Sequence, residues 1–221
     1  MNDLLEQLLQ SPRLWRGRGP AESTGWQGLS SGYPRLDRHL PGGGWPPQAL
    51  TEILLEHYGT GELKLLMPAL AHLSQAGSED AARAAGWIAW IAPPFEPYAP
   101  ALAQWGMNLS RVLVVRPKKA TEALWAAEQA LSSGNCAAVL LWPERMDDVA
   151  SRRLQLAAEN GRSWAIAFRS VKALSRSSAA ALRIRISAGD KGTDLGILKS
   201  RGGRPVVIRA VIRDYAAAPE Q

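Results

Sequence analysis

The sequence contains a single cysteine, Cys136, and only three histidines, His39, His57 and His72. One cysteine excludes an internal disulfide framework and is typical of proteins that fold in a reducing compartment. The histidines and the cysteine show none of the paired spacings that zinc sites use, so we predict that the chain holds no metal.

Long apolar runs are also lacking. No uninterrupted stretch approaches the length of about 18 apolar residues that a membrane-spanning helix needs. The amino-terminal segment carries Asp3 and Glu6 among its leucines, and it lacks the basic start of a secretory signal. These features predict a cytoplasmic protein without a membrane partner.

The chain does contain enough apolar residues for one core, since 46% of its 221 residues are hydrophobic and 21% are charged. Its formal net charge of +6 is unevenly distributed. Residues 152–213 hold fourteen basic and three acidic side chains, so the rest of the chain is net acidic. This asymmetry indicates an anionic partner, either nucleic acid or an acidic protein segment.

Short apolar runs alternate with helical patterns through the middle of the chain. Continuous apolar strands separated by helices of about 10–15 residues predict a mainly parallel sheet, with buried strands and helices on both faces. The predicted strands are residues 50–55, 87–92, 111–116, 137–142 and 163–168. The predicted helices are residues 62–75, 97–105, 120–132 and 146–159.

After residue 180 the pattern changes to short strands without intervening helices. Residues 182–186 and parts of 206–213 alternate apolar and basic side chains, and residues 195–199 form a further short strand. This alternation predicts a short antiparallel C-terminal extension with one solvated, basic face. The predicted parts of the chain are an N-terminal helix and linker (1–28), a core domain (29–213) and a flexible tail (214–221).

An apolar stripe on a short helix is predicted at the amino terminus, where Leu4, Leu5, Leu8 and Leu9 share one helical face. So short a helix is marginal alone and needs a surface to pack against. Two interpretations remain open. The stripe packs on its own domain, or it is a docking arm for a partner or for another copy of the chain.

A glycine loop follows the first predicted strand and invites comparison with a phosphate loop, which needs Gly-x-x-x-x-Gly-Lys-Ser/Thr. Aligning the second glycine on Gly61 puts Glu62 in the lysine position and Leu63 in the hydroxyl position, and Glu56 replaces the first glycine. The loop, which also contains Gly59, is therefore degenerate. A unit charge pair about 4 Å apart is worth about 4 kcal/mol at an effective dielectric near 20, and glutamate reverses its sign toward a triphosphate.

The second element of ATPase chemistry is missing as well. An ATPase of this architecture ends an apolar strand with aspartate, whereas residues 139–141 lead into Trp142 and Pro143. Glu144 is the nearest carboxylate and lies beyond the proline, out of register. We therefore predict no catalytic residue, no cofactor and no enzymatic activity.

The stretch from Leu29 to Ile53 resembles the start of the RecA core. The segments that carry the likeness are Leu29–Leu40, Gly42–Pro46 and Leu50–Ile53, and the Leu198–Pro205 segment is similar to the lysine-rich hairpin late in that core. The resemblance covers about residues 29–213 and implies a RecA-like three-layer α/β core.

Within that superfamily the chain is similar to the ImuA family, through the segments 42–46, 180–185 and 199–203. This resemblance implies a component of the mutasome for error-prone translesion DNA synthesis under SOS control. The implied partners are an ImuB-like protein and a DnaE-type polymerase, with RecA as a further candidate. Nucleotide dependence is not carried over, because Glu62 occupies the lysine position.

Six basic residues of the C-terminal third are the predicted contacts to DNA or to a partner. They are Arg183, Arg185, Lys199, Arg201, Arg204 and Arg209. Alternating arginines project from one face of a strand, and the glycine-rich turn at residues 199–204 lets backbone approach a phosphate. Three interpretations remain open: a solvated basic face without a ligand, weak and sequence-independent DNA contact, or a protein-binding face.

Two other functional classes are compatible with parts of the sequence. A SulA-like cell-division inhibitor that binds FtsZ is also RecA-like, lacks nucleotide chemistry and answers to the same damage signal. An active ATPase or strand-exchange enzyme is opposed by Glu62 and Leu63.

Overall fold

A computed structural model describes residues 27–75 and 86–212. The strands of the described residues are β1 (Leu50–Leu55), β2 (Trp87–Ile91), β3 (Val112–Val115), β4 (Cys136–Leu141), β5 (Trp164–Ser170), β6 (Leu182–Gly189), β7 (Gly192–Ser200) and β8 (Val206–Ile212). The helices are α1 (Pro34–Asp37), α2 (Glu62–Ser74), α3 (Ala99–Gln104), α4 (Ala120–Ser132) and α5 (Asp148–Asn160). Short 3-10 turns cover Pro41–Gly43, Leu109–Arg111 and Val171–Ser175.

The strands form one mixed sheet with the order β3-β2-β4-β5-β1-β6-β7-β8. Strands β1 to β6 run parallel to one another, and β7 and β8 are added as antiparallel strands. The direction changes one strand later than the sequence pattern predicts, because β6, whose residues alternate, still pairs parallel to β1. An α/β fold with a mainly parallel sheet and an antiparallel C-terminal extension is therefore confirmed.

Apolar side chains cover both faces of this sheet. On one face Leu66 and Leu70 of α2 belong to the same buried cluster as Phe168 of β5. On the other face small side chains of α4 and α5, such as Ala127 and Ala158, form a second cluster with β4 and β5. Burying a Leu or Phe side chain contributes about 1.5–3 kcal/mol, so these layers hold the sheet between them.

Stacked aromatic rings fill the centre of the first cluster. The Trp45 ring stacks on Trp164 with 5.5 Å between centroids. Trp142 stacks on Trp90 at 5.5 Å and on Phe168 at 4.5 Å. Offset aromatic pairs add about 0.5–1.5 kcal/mol beyond their buried area, so the rings fix the packing between the strands.

The glycine run before β1 allows two chain segments to cross at close range. The Gly28 amide donates to the Gly42 carbonyl at 2.8 Å, and Leu29 and Trp45 exchange backbone hydrogen bonds. A Cβ atom on Gly44 would lie 2.2 Å from the Leu29 oxygen. Only glycine fits there, and the crossing places the Trp45 ring in the core.

Pro68 lies inside α2, and the fold compensates for the hydrogen bond that it removes. Because proline has no N–H, the carbonyl of Lys64 one turn earlier loses its helical partner. The Tyr33 hydroxyl donates to that carbonyl at 3.0 Å. The segment before α1 packs on the same turn, since a Cβ atom on Gly32 would lie 2.6 Å from the Pro68 Cβ.

One element differs from its prediction. Residues 111–116 contain the expected strand, but β3 is the outermost strand of the sheet, and Leu113 and Val114 are exposed. The prediction that this strand is buried is wrong, because an apolar run does not distinguish a central strand from an edge strand.

The predicted N-terminal helix, most of the linker that follows it, and the predicted tail lie outside the described residues. Of the helices within residues 27–75 and 86–212, none is long and apolar enough to cross a membrane.

Candidate functional site

The degenerate phosphate loop lies at the carboxyl end of β1, near the middle of the sheet. Gly59 and Gly61 adopt positive φ angles of 88° and 95°, which turn the chain sharply before α2 begins at Glu62. Strand, glycine turn and helix therefore follow one another as in a working phosphate loop, and the side chains decide what the loop can hold.

The Glu62 carboxylate folds back into the loop. Its Oε1 atom accepts a hydrogen bond from the Gly59 amide at 2.8 Å, and its Oε2 atom accepts one from the Thr60 hydroxyl at 3.5 Å. The side chain is buried, with 5% of its residue surface exposed. The carboxylate thus occupies an amide donor of the turn and puts negative charge where a phosphate would bring its own.

The loop is also closed from the side of the antiparallel extension. The Thr193 hydroxyl of β7 donates to the Thr60 carbonyl at 3.1 Å, and a Cβ atom on Gly61 would lie 2.7 Å from that hydroxyl oxygen. Arg185 of β6 pairs with Glu56 at 2.7 Å. These contacts hold the loop against β6 and β7, and they engage the Gly59 amide and the Thr60 carbonyl within the chain.

The position after β4, where an ATPase carries a carboxylate, belongs to the aromatic core. Trp142 is buried there and stacks on Trp90 and Phe168. Within the described residues, no group of three or more histidine, cysteine, aspartate or glutamate side chains is arranged to hold a metal ion.

Exposed aromatic side chains lie beside the loop, and sequence reasoning missed them. Tyr58 contacts Phe95 edge to face with 6.3 Å between centroids, and Phe95 and Tyr98 are about 70% exposed. Burial and the Glu62 carboxylate raise the pKa of the Tyr58 hydroxyl. Aromatic side chains are enriched where proteins meet partners. A usable signal was present, because Phe95 and Tyr98 stand in a proline-rich loop directly after β2, where they cannot enter the sheet.

The structure places the six predicted basic residues differently from one another. Arg183 is 8% exposed, and the prediction that it lies on a solvated face is wrong. It pairs with Glu52 at 2.9 Å and donates to the carbonyls of Ala173 and Arg176. A solvated arginine was expected from the alternation of β6, but the 3-10 turn after β5 covers this end of the strand.

Glu52, which sequence reasoning did not single out, is the centre of this buried network. It is fully buried, and it accepts hydrogen bonds from Arg169 at 3.0 Å and from the Ser178 hydroxyl at 2.6 Å in addition to Arg183. Arg169 also donates to the Met146 carbonyl. A carboxylate inside the apolar strand β1 was the available signal, since buried carboxylates are paired.

Three further predicted residues reach solvent but are paired with carboxylates: Arg185 is partly buried, and Arg201 and Arg209 are exposed. Arg185 pairs with Glu56, as described above. Arg201 lies 3.7 Å from Glu159. Arg209 lies 2.7 Å from Asp194. The Asp194 carboxylate also accepts a hydrogen bond from the Ala210 amide, and that bond, followed by the one from Arg209, holds the pKa of Asp194 below its usual value. Much of the positive charge predicted for this face is therefore balanced locally.

The last two predicted basic residues, Lys199 and Arg204, are exposed at the turn between β7 and β8. Among the residues that the structure describes, no carboxylate lies within 4 Å of either side chain. The docking arm predicted at Leu4, Leu5, Leu8 and Leu9 lies outside the described residues, so its role stays a prediction.

Comparison with known proteins gives one family match. The model described as "Cell division inhibitor SulA" matches residues 50–165, which run from β1 through the glycine loop to the start of β5. A solved structure, the crystal structure of SulA from Pseudomonas aeruginosa, is 29% identical and covers 54% of this chain and 97% of that one, with a TM-score of 0.44.

Curated relatives carry two names. "Protein ImuA" of Caulobacter vibrioides is 32% identical over 135 residues, which are 59% of this chain and 52% of the relative. "Cell division inhibitor SulA" of Edwardsiella piscicida is 37% identical over 101 residues, which are 46% of this chain and 56% of the relative. The chain spans about half the length of these relatives. The resemblance to ImuA that its sequence segments indicate is thereby confirmed.

Proposed function

The chain belongs to the family of the cell division inhibitor SulA, and from this membership we propose that it is a non-catalytic accessory protein of the SOS response to DNA damage. Its similarity to ImuA supports a more specific role within that response. The chain acts through its surfaces, which bind other proteins, and performs no chemistry of its own.

The specific role is that of a subunit of a mutasome for error-prone translesion synthesis. Its partners are an ImuB-like protein and a DnaE-type polymerase, with RecA as a further candidate, and it works in the cytoplasm where these partners act. The domain is a RecA-like core. A strand, glycine loop and helix at the centre of a mainly parallel sheet support this assignment.

The observation that carries the non-catalytic proposal is the position of Glu62. Its buried carboxylate accepts the Gly59 amide at 2.8 Å, so a donor of the loop is already used and the local charge is negative. A triphosphate entering the loop would have to displace this carboxylate and would meet it at close range. At about 4 Å and an effective dielectric near 20, that repulsion is about 4 kcal/mol for each pair of unit charges.

Calorimetric titration with MgATP tests this proposal. We expect no saturable binding by the wild-type chain. The Glu62→Ala variant frees the Gly59 amide and removes the charge, so weak binding of inorganic phosphate is expected in that variant alone. Glu122→Ala is the matched control, because Glu122 also accepts backbone amides at a helix start, those of Lys118 and Lys119. Saturable binding of MgATP by the wild type would contradict the proposal.

The exposed aromatic side chains beside the loop provide the surface for a protein partner. Tyr58, Phe95 and Tyr98 expose large rings next to the carboxyl end of β1 and β2. Rings held on a scaffold contribute large contact areas at low entropic cost, which is why few such residues carry much of a binding energy.

An alternative function is inhibition of cell division by binding FtsZ, as a SulA-like protein. The specific observation in its favour is the extent of the family match, since residues 50–165 include the loop that carries Phe95 and Tyr98. Both functions can therefore use the same aromatic surface, and the identity of the captured partner separates them.

Capture by the immobilised chain, with purified ImuB-like protein and purified FtsZ offered in separate experiments, distinguishes the two functions. We expect binding of the ImuB-like protein, and a loss of at least tenfold in affinity when Phe95 and Tyr98 are both replaced by alanine, as expected for two exposed anchor residues. Val207→Ala is the matched control, because Val207 is 64% exposed on β8. Capture of FtsZ alone would support the alternative, and capture of neither would contradict both.

A further inference from the structure

Three basic residues, called the basic row below, lie at one end of the antiparallel extension, with Arg183 on β6, Lys199 on β7 and Arg204 in the turn that leads to β8. Arg183 of β6 lies directly opposite Lys199 of β7. On the other side of β7, Ile197 pairs with Val206 of β8, and a turn hydrogen bond joins the Gly203 amide to the Ser200 carbonyl. Cross-strand neighbours point to the same face, so Arg183 and Lys199 stand side by side, and Arg204 follows in the turn before β8.

The charges of this row are not balanced within the described residues. Glu52 neutralises Arg183, but it is shared with Arg169. Lys199 donates to the Ser178 carbonyl at 2.8 Å, which is a neutral acceptor. Like charges directly opposite one another destabilise a sheet, so this arrangement costs folding free energy.

The lowered pKa of Lys199 reflects that cost. Burial lowers the pKa of its ammonium, and Arg183 and Arg201 lower it further, against an opposing effect of Glu52. The network around Glu52 fixes the backbone beneath, because Arg183 donates to two carbonyls of the segment that also holds Ser178. A rigid group of like charges maintained at a cost is typical of a binding site for the opposite charge.

We propose that the row formed by Arg183, Lys199 and Arg204 binds the phosphodiester backbone of nucleic acid, with Lys199 and Arg204 making the contacts and Arg183 supporting them from beneath. Arg201 flanks the row, and Gly202 and Gly203 leave the turn without bulky side chains, so that a phosphate can approach closely. Residues 152–213 hold fourteen basic and three acidic side chains, so the surrounding field favours a polyanion.

The same surface predicts contact that is independent of base sequence. Within the described part of residues 171–212, the large exposed apolar side chains are Leu174 and Val207, neither of which is aromatic. Proteins that bind single-stranded nucleic acid usually stack its bases on aromatic rings. Binding through phosphates alone depends on charge density and salt and reads no sequence.

Fluorescence anisotropy with a labelled random-sequence duplex, titrated from 25 mM to 200 mM NaCl, tests the proposal. At about 0.1 M salt, each phosphate contact removed should weaken binding by about eightfold and should reduce the slope of log affinity against log salt by about 0.9. We therefore expect Lys199→Met and Arg204→Met each to produce that loss, and the double variant to produce about sixtyfold.

The matched control is Lys191→Met, which removes one positive charge from the exposed turn at the other end of the β6–β7 hairpin. An equal loss in this control would show that net charge alone determines binding and would overturn the proposal. So would unchanged binding by the double variant, or no binding at 25 mM NaCl.

A polyglutamate peptide of matched charge is the second probe. If it binds more tightly than the duplex and loses affinity in the same variants, the row is a site for an acidic protein segment and the proposal is wrong. The proposed binding of an ImuB-like protein or of FtsZ uses the aromatic surface around Phe95, which is separate from the row. A negative result in the capture experiment therefore leaves the nucleic-acid proposal standing, and a negative result in the titration leaves the proposed function standing. Melting temperatures of the variants within about 2 °C of the wild type ensure that binding losses reflect the row.

Discussion

Removing the charge of Glu52 should destabilise the fold far more than removing the charge of any surface glutamate. Glu52→Gln keeps the size of the side chain but leaves Arg169 and Arg183 buried without a counter-charge, since only 7% and 10% of their side chains reach solvent. Breaking a buried ion pair by removing one partner costs about 3–5 kcal/mol. Glutamine keeps one oxygen that can accept from Arg169 and Ser178, but its NH2 group would face the Arg183 Nε, which donates to the second carboxylate oxygen of Glu52.

A matched control lies four residues along the chain. Glu56 pairs with one arginine, Arg185, and both side chains are about half exposed. Exposed pairs contribute about 0–1 kcal/mol, so Glu56→Gln should change stability little. The loss of unfolding free energy should therefore be several times larger for Glu52→Gln than for Glu56→Gln, although each substitution removes one carboxylate charge.

Thermal unfolding followed by near-ultraviolet circular dichroism measures this difference. For a domain of this size, 1 kcal/mol shifts the melting temperature by about 2–4 °C, so Glu52→Gln should lower it by roughly 6–20 °C and Glu56→Gln by less than about 4 °C. Equal melting temperatures for the two variants would refute the reasoning, because they would mean that the buried arginines find other compensation.

Other contacts give smaller effects that can be checked in the same way. Gly44→Ala brings a methyl group against the Leu29 carbonyl and should cost about 1–3 kcal/mol or more in urea unfolding, more than Gly196→Ala, where the nearest heavy atoms lie 4.0 Å from the added carbon. Hydrogen bonds from β8 hold the pKa of Asp194 low, so its stabilisation is complete above about pH 4 and is lost as the pH falls through the folded-state pKa. Melting temperatures between pH 7 and pH 3 should therefore fall less in Asp194→Asn than in the wild type, and parallel curves would contradict this. Tyr33→Phe should cost about 0.5–1.5 kcal/mol, and unchanged urea unfolding would show that its hydroxyl bond contributes nothing.

Local patterns in the sequence are sufficient to predict most elements of the fold. The predicted strand at residues 50–55 and the predicted helix at 120–132 coincide with β1 and α4. These segments have either a continuous apolar run between turn residues or an unbroken helical period, and both signals depend on residues close together in the chain. The change from helices to successive strands after residue 180 is predictable for the same reason, although the first of these strands, β6, still pairs parallel to β1.

Contacts between distant segments could not be predicted in this way. The pairing of Arg183 with Glu52 exists because β6 lies next to β1, and no local pattern specifies that strand order. The exposure of Leu113 likewise depends on β3 lying at the edge of the sheet. Residue types alone are sufficient to recognise the degenerate loop, but they do not predict that the Glu62 carboxylate folds back and accepts the Gly59 amide.

The carboxylate that fills the glycine loop is part of the chain, and this has a consequence for control. A bound nucleotide can leave or be cleaved, and proteins that use one alternate between a loaded and an empty shape. Glu62 directly follows the turn and accepts the amide of Gly59 three residues earlier, so it cannot be exchanged, diluted or consumed. If the loop holds no nucleotide, as we propose, we expect the surface built around it to keep a single shape, and its effect would then depend on the amount of the protein that cells make and degrade.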